Sequence, residues 1–280
     1  MSSGLNKTKR RIASVKATEK ITKAMEMIAS VKMKRSRDQF DASSLSKSKC
    51  MDILSSAFAS VKKTPYFCLP NEGNKTLYII ISSDLGLCGG YNSNVFKLFD
   101  PEYKEDDEII AFGSKAISHY DEKKGYKISS LLKTPSLDIS LFELTKLASL
   151  LLQEYKKNRF GSIKIISTRY VNSLNFVASS TTLLPISIPT YENEYGGVPP
   201  LIEPSPEAVI NSIIPLSLGY ILKEAIDEAK LCEQSSRRNA MDNANDNADE
   251  LLKNLNIEYN KSRQSSITQE IVEVVSGSLN

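Results

Sequence analysis

Small and apolar positions in the last third of the chain recur at alternating steps of four and three. The first set is Leu218, Leu222, Ala225, Ala229, Cys232 and Ser236. Met241, Ala244, Ala248, Leu251 and Leu255 follow, then Ile267, Ile271 and Val274. A 3.5-residue repeat keeps one stripe of a helix turned toward a supercoiled partner. The pattern predicts a helix from about Pro206 to Ser276, entered at Ser205-Pro206-Glu207 with proline at its first position. Pro215 and Gly219 interrupt it only near its start. Sixty such residues span roughly 90 Å at 1.5 Å per residue, too long to stand without a partner. Met241 to Ala248 holds poor helix formers at half its positions. Yet Ala240, Ala244 and Ala248 form a stripe that lets another helix approach closely, so the stretch reads as a marginal, closely packed helix.

The opposite end offers that partner. Leu5 to about Val61 contains neither proline nor glycine, and Leu5, Ile12, Val15, Thr22, Met25 and Ala29 share one face at near-heptad spacing. Ile21, Ile28 and Val31 widen the face, as where a helix touches more than one surface. The helical pattern ends near Lys63-Thr64-Pro65.

Between the two helices the period changes from helical to strand-like. Leu77–Ile81 reads as a buried strand, Glu108–Phe112 as a second and Tyr126–Leu131 as a third. Short helices are expected from a cap at Asn92 or Ser93 through Phe99, and near Ser114–Tyr120. A longer amphipathic helix runs from about Ser140 to Asn158. Ser162–Tyr170 and Leu174–Leu183 form a hairpin around Val171-Asn172-Ser173, and Pro185 to Pro204 is a proline-rich return. Alternating strands and helices predict a parallel α/β sheet. The fold class is therefore mixed: an antiparallel two-helix coiled coil of the terminal helices with an inserted Rossmann-like α/β domain. The expected division is 1–63, 64–205 and 206–280.

Charge sharpens the pairing. The net charge is only +3, but residues 1–63 hold 15 Lys and Arg against 5 Asp and Glu, and residues 207–280 hold 7 against 12. Complementary ends favour lying side by side. A basic helix could also neutralise nucleic-acid phosphates, but no aromatic residue interleaves the basic run before Phe40. No nucleic-acid partner is expected. No run of eighteen apolar residues exists, so no direct membrane insertion is expected.

Candidate chemistry is sparse. Cys50, Cys68, Cys88 and Cys232 are scattered without metal-ligand spacing and read as free thiols. The single histidine, His119, is read as structural or surface. After the first strand, Asp84-Leu85-Gly86-Leu87-Cys88-Gly89-Gly90 places glycines where a strand-to-helix turn could cradle phosphate. Gly86, Gly89 and Gly90 do not match the dinucleotide spacing, and no Gly-Lys dipeptide is present. Asp84, Gly86, Gly89 and Gly90 therefore read as a tight structural loop. No catalytic residue, metal or cofactor is expected.

Three separated motifs nevertheless resemble one family in the right order. They are Arg11-Ile12-Ala13-Ser14-Val15-Lys16 with Lys20-Ile21-Thr22-Lys23-Ala24-Met25-Glu26-Met27; Ser82-Ser83-Asp84-Leu85-Gly86-Leu87-Cys88-Gly89-Gly90-Tyr91-Asn92; and Ala240-Met241-Asp242-Asn243-Ala244 with Tyr259-Asn260-Lys261-Ser262-Arg263-Gln264 and Ile267-Thr268-Gln269-Glu270-Ile271. Over its whole length the chain resembles the gamma subunit of F-type ATP synthases, the central rotor shaft. Leu85 departs from the basic residue often found before the loop's first glycine, and Ser276-Gly277-Ser278-Leu279-Asn280 departs from the usual small-residue tail.

The resemblance implies a non-catalytic shaft inside a ring of alpha and beta subunits, with the α/β domain beside the epsilon subunit and the membrane rotor ring. It implies rotor–stator contacts at Lys20, Met25, Arg263, Thr268, Gln269 and Glu270. The final segment, Arg263 to Val275, would extend beyond its partner helix into the ring's bearing. A gamma-like shaft of a specialised ATPase motor is the alternative, and a basic coiled-coil nucleic-acid binder a further one. The opening methionine without a clear presequence points to the cytoplasmic face of a bacterial membrane, with the matrix side of the mitochondrial inner membrane as the alternative.

Overall fold

The computed structural model describes residues 2–61, 63–120, 125–131, 137–188 and 201–277. Its elements are α1 (Ser2–Ala59), β1 (Thr76–Ile81), α2 (Tyr91–Phe99), β2 (Glu108–Phe112), α3 (Ser114–His119), α4 (Leu141–Lys156), β3 (Ser162–Tyr170), β4 (Phe176–Leu184) and α5 (Pro206–Gly277). A 3-10 turn occupies Tyr66–Cys68. The chain divides into two compact units: Met1–Val31 with Arg237–Asn280, and Lys32–Ser236.

The larger unit is built on a four-stranded sheet of order β2-β1-β3-β4. β1 is parallel to β2 and to β3, and β4 returns antiparallel beside β3. β1 is buried on both faces from Leu77 onward, which its uncharged LYIII run permits. Leu77, Ile79 and Ile81 point to one side, among Leu144, Leu147 and Leu151 of α4 and Leu218, Leu222 and Ile226 of α5. Tyr78 and Ile80 point to the other, among Val95 and Phe99 of α2 and Ala116 of α3. The result is helix, sheet, helix, with parts of α1 and α5 serving as core helices of this unit.

Several local choices show why the elements start and stop where they do. α4 opens on Ser140, whose hydroxyl accepts from Glu143 N while the Glu143 carboxylate accepts from Ser140 N, a reciprocal capping box. Gly219 lets α5 pass close to α4, since a Cβ there would lie 2.8 Å from Thr145 Oγ1. The early part of α5 is apolar enough, by length and composition, to cross a membrane. Its Ile210, Ile214, Leu218, Leu222 and Ile226 are buried in the α/β core, which accounts for that excess.

The structure corrects four sequence expectations. The stretch 126–131 is not a third parallel strand: it makes one bridge, Ile128 to Ile109, with Ile109 N donating to Lys127 O and Ser129 N to Ile109 O. Tyr126 and Ile128 pack against the α2–α3 core, so the alternation reflects burial without a ladder. α2 begins at Tyr91 behind Gly90, because the Asn92 side chain is spent on Ser83 rather than on a cap. β4 begins at Phe176 because Asn172 Oδ1 accepts from Leu174 N and Asn175 N and holds both in the turn. α1 ends at Ala59, short of Val61. Residues 189–200 of the proline-rich return and 278–280 of the tail lie outside the described residues.

Gly113, between β2 and α3, has φ of 90°, and a Cβ there would lie 2.4 Å from Ser82 O. Gly113→Ala should therefore destabilise the protein by more than about 1 kcal/mol. A urea titration followed by circular dichroism will show the midpoint fall; an unchanged midpoint would mean the turn relaxes freely.

Candidate functional site

In the smaller unit, α1 and α5 form an antiparallel pair whose contact stripe can be read from solvent exposure. On α1 the withdrawn positions include the stripe Leu5, Thr8, Ile12, Val15, Glu19, Thr22, Glu26 and Ala29, in strict alternation of three and four, with Met25 and Ser30 half-buried beside it. On α5 they are Met241, Asn245, Ala248, Leu252, Leu255, Tyr259, Ser262, Ser266 and Gln269, with the same alternation. Two heptad stripes facing each other are the geometry of a coiled coil. The seam lies one residue from the expected one at several places: Glu26 stands in the stripe for Met25, and Ser266 for Ile267. Asn245 and Leu252 are buried, whereas Ala244 is half-buried and Leu251 exposed.

The seam is unusually polar. Asn245 is buried, its Oδ1 accepts from Thr22 Oγ1, and its Nδ2 donates to Glu26 Oε2 at 2.7 Å. One turn away, Lys23 donates to Glu19, and its ammonium is the main reason the Glu19 carboxyl is held below the ordinary range. Lys7, Lys9, Arg10, Arg11, Lys16 and Lys20 all point into solvent. So do four large apolar residues of the same helix: Ile21, Met27, Ile28 and Val31 are 55–73% exposed. Heptad arithmetic places them off the seam. Three of them lie on the second face that the sequence pattern predicts, and Met27, which that pattern does not mark, joins them.

The proposed contact residues fall into two groups. Lys20 is exposed on α1, and Met25 is half-buried beside the seam residue Glu26. Arg263, Thr268 and Glu270 are exposed near the end of α5, and Gln269 is half-buried with Nε2 donating to Glu273 Oε1. Thr268 Oγ1 donates to Gln264 O. Asn245, which faces Glu26, lies 18 or more residues before Arg263, roughly 27 Å of helix, so the two groups are not one cluster. Around the second group, Ile267, Ile271, Val272, Val274 and Val275 are 47–72% exposed. The expected seam positions Ile267, Ile271 and Val274 are thus uncovered. The α1 stripe has run out by this point, because Leu5 is its first described member.

The glycine loop lies in the larger unit, at the carboxyl end of β1, where the chain leaves to β2 on one side and β3 on the other. Such switch points are where open α/β sheets hold ligands. Here the residues around the loop bond to the protein itself. Asp84 Oδ1 accepts from Ser114 N and Oγ at 2.9 Å, and Ser82 Oγ accepts from Ala116 N at 2.8 Å. These bonds tie the loop to the start of α3, the helix that follows β2. Leu87 and Gly89 have φ of 61° and 55°, and Gly86 and Gly90 complete the bend. The turn presses against α5: Tyr91 OH donates to Ala229 O at 3.1 Å and Ser236 Oγ to Cys88 O at 2.6 Å. Cys88, Tyr91 and Cys232 are buried together there, and the four cysteines are free thiols. Among the described residues no three His, Cys, Asp or Glu side chains gather as metal ligands.

His119 stacks on Phe96 with ring centroids 4.2 Å apart, at the surface of the α2–α3 core. A cavity of about 380 Å3 lies between β3, β4 and the two long helices, lined by Phe40, Lys47, Arg169, Glu224 and Glu228 among others. Lys47 pairs with Glu224 at 2.5 Å, joining α1 to α5. Glu228 Oε1 accepts from Tyr170 N at 2.8 Å, yet burial outweighs that bond and raises its carboxyl above the ordinary range.

In fold, the chain matches solved rotors of ATP synthases. It is similar to the rotor of the Euglena gracilis mitochondrial ATP synthase, with a TM-score of 0.66 at 16% identity over 95% of this chain and 100% of that one. The family follows from sequence. A family model described as ATP synthase matches residues 4–279. The ATP synthase gamma chain of Mycoplasmopsis pulmonis is 37% identical over 278 residues, covering 98% of this chain and 99% of the relative. That of Mesoplasma florum is 37% identical over 276 residues, covering 98% and 97%. The chain belongs to the ATP synthase gamma chain family.

Because the Glu228 pKa is raised by folding, the protonated form is favoured in the folded state. Glu228 therefore adds stability below its unfolded pKa and loses it as pH rises through the folded value. Glu228→Gln keeps an acceptor for Tyr170 N and removes the charge. It should raise the thermal midpoint at pH 8 and change it little at pH 4; an equal shift at both would rule out the carboxylate as the cause.

Proposed function

We infer that the chain is the rotating central-stalk subunit that couples ion flow through a membrane sector to ATP synthesis or hydrolysis in a ring of alpha and beta subunits. It performs no covalent chemistry itself. The observation that carries the reading is the smaller unit: an antiparallel helix pair whose seam is internally satisfied while aliphatic side chains stand uncovered on α1 and at the end of α5. A solvent-facing row of Ile21, Met27, Ile28 and Val31 needs a surrounding partner. Full-length identity to ATP synthase gamma chains supports the same assignment. The specialised-motor and nucleic-acid alternatives gain no observation from either source.

The three segments then divide the work. Residues 1–63 and 206–280 form the shaft, and 64–205 form the α/β domain that meets the epsilon subunit and the rotor ring. Lys20 and Met25 on α1, with Arg263, Thr268, Gln269 and Glu270 on α5, touch the surrounding ring. Met25 offers an adaptable apolar surface, and Thr268 and Gln269 can exchange hydrogen bonds with successive partners. Asp84, Gly86, Gly89 and Gly90 shape the structural loop after β1. An asymmetric shaft presents a different face to each beta subunit as it turns, and the differing contact free energies shift each site between open and closed populations. The complex lies at the cytoplasmic face of a bacterial membrane, peripheral to it.

Met25→Lys places a charge at the proposed contact. It should leave the complex assembled with ATPase activity present, and lower the ions moved per ATP hydrolysed by severalfold. Loss of assembly, with normal coupling in each intact complex, would contradict the contact role. ATP hydrolysis by the purified chain alone would contradict the shaft reading itself.

A further inference from the structure

We propose that Asn245 is a register key: through Thr22 and Glu26 it fixes the axial position and rotational phase of α1 and α5 in the shaft unit. The coupling consequence rests on the shaft reading above; the register itself does not.

A coiled coil of uniform aliphatic residues resists slippage poorly, because each heptad offers the next one the same apolar surface. This seam is weaker still as a ruler. Its apolar members, Leu5, Ile12, Val15 and Ala29 on α1 and Met241, Ala248, Leu252 and Leu255 on α5, recur at heptad spacing and vary mainly in size. Thr8, Ser262 and Ser266 add little area.

Asn245 is the exception. It is 5% exposed, and its side chain is satisfied at both ends by a hydroxyl and a carboxylate four residues apart on the opposite helix. Thr22 and Glu26 occupy successive seam positions, so the two bonds straddle Asn245 and resist both sliding and rotation. A slip of one heptad would set Val15 or Ala29 in place of Thr22. Neither carries a donor, and the buried Asn245 carbonyl would lose its partner. A buried asparagine in such a seam penalises wrong registers more than it stabilises the right one. The phase matters because Met25 adjoins Glu26: rotating α1 about its axis would turn Met25 and Lys20 away from their direction relative to α5.

The test uses the full chain with Cys68→Ser, spin labels at Lys9→Cys and Glu258→Cys, and pulsed dipolar spectroscopy. Lys9 and Glu258 are exposed on the two helices, while Cys50, Cys88 and Cys232 are buried. The parent and Thr22→Ser, which keeps the hydroxyl, should give one narrow interspin distance. Asn245→Leu should at least double the width of that distribution, or split it, while helicity stays constant and the thermal midpoint does not fall. In the assembled complex, Asn245→Leu should then lower ions moved per ATP at least twofold, and Thr22→Ser should not. A single unchanged distance in Asn245→Leu sinks the proposal, whatever happens to pumping. Reduced pumping with that unchanged distance would mean Asn245 acts by touching the ring instead. Failure of the shaft reading would appear separately, as a parent chain that supports no ATP-driven ion movement in the complex.

Discussion

A helix of 72 residues is held by whatever lies along its side, and α5 depends on two different neighbours for that support. Within the larger unit it is a core helix, with Leu218 and Leu222 fully buried against a sheet and α4. Within the smaller unit it is one strand of a two-helix coil, with a seam in which Asn245, Ser262 and Ser266 replace aliphatics. The first kind of contact is driven by removing apolar area from water. The second relies more on pairing of polar groups, which contributes less net stability but more positional information.

This division explains why the pattern of the sequence was readable to different depths along the chain. The two long helices, the parallel β1–β2–β3 core and the antiparallel β4 follow from period and composition. β1 is uncharged and β-branched, and α4 carries its own capping signal at Ser140 and Glu143. What could not be read were positions decided by a tertiary partner. Tyr126 and Ile128 alternate like a strand because they face a core, while the backbone around them pairs only once. Asn92 looks like a helix cap until Ser83 claims its amide.

The site shows the same limit more sharply. Choosing Ala244 and Leu251 for the seam follows hydrophobicity, whereas the structure buries Asn245 and Leu252. Counting strict steps of four and three from Met241 would have reached both. Polarity argued against Asn245, and only Thr22 and Glu26 on the other helix make its burial affordable. The outward aliphatics of α1 were visible as a second face, but nothing within one chain states what covers them.

The uncovered end of α5 also bears on the protein before it meets its partners. From Ile267 onward the helix keeps aliphatic side chains in water, and Thr268 and Gln269 bond within the helix itself, to Gln264 O and Glu273 Oε1. Isolated helical turns of that length are marginal in water. On the free chain those exposed aliphatic side chains make an adhesive surface. The exposed row therefore marks the free chain, and any surface that covered it would remove that mark.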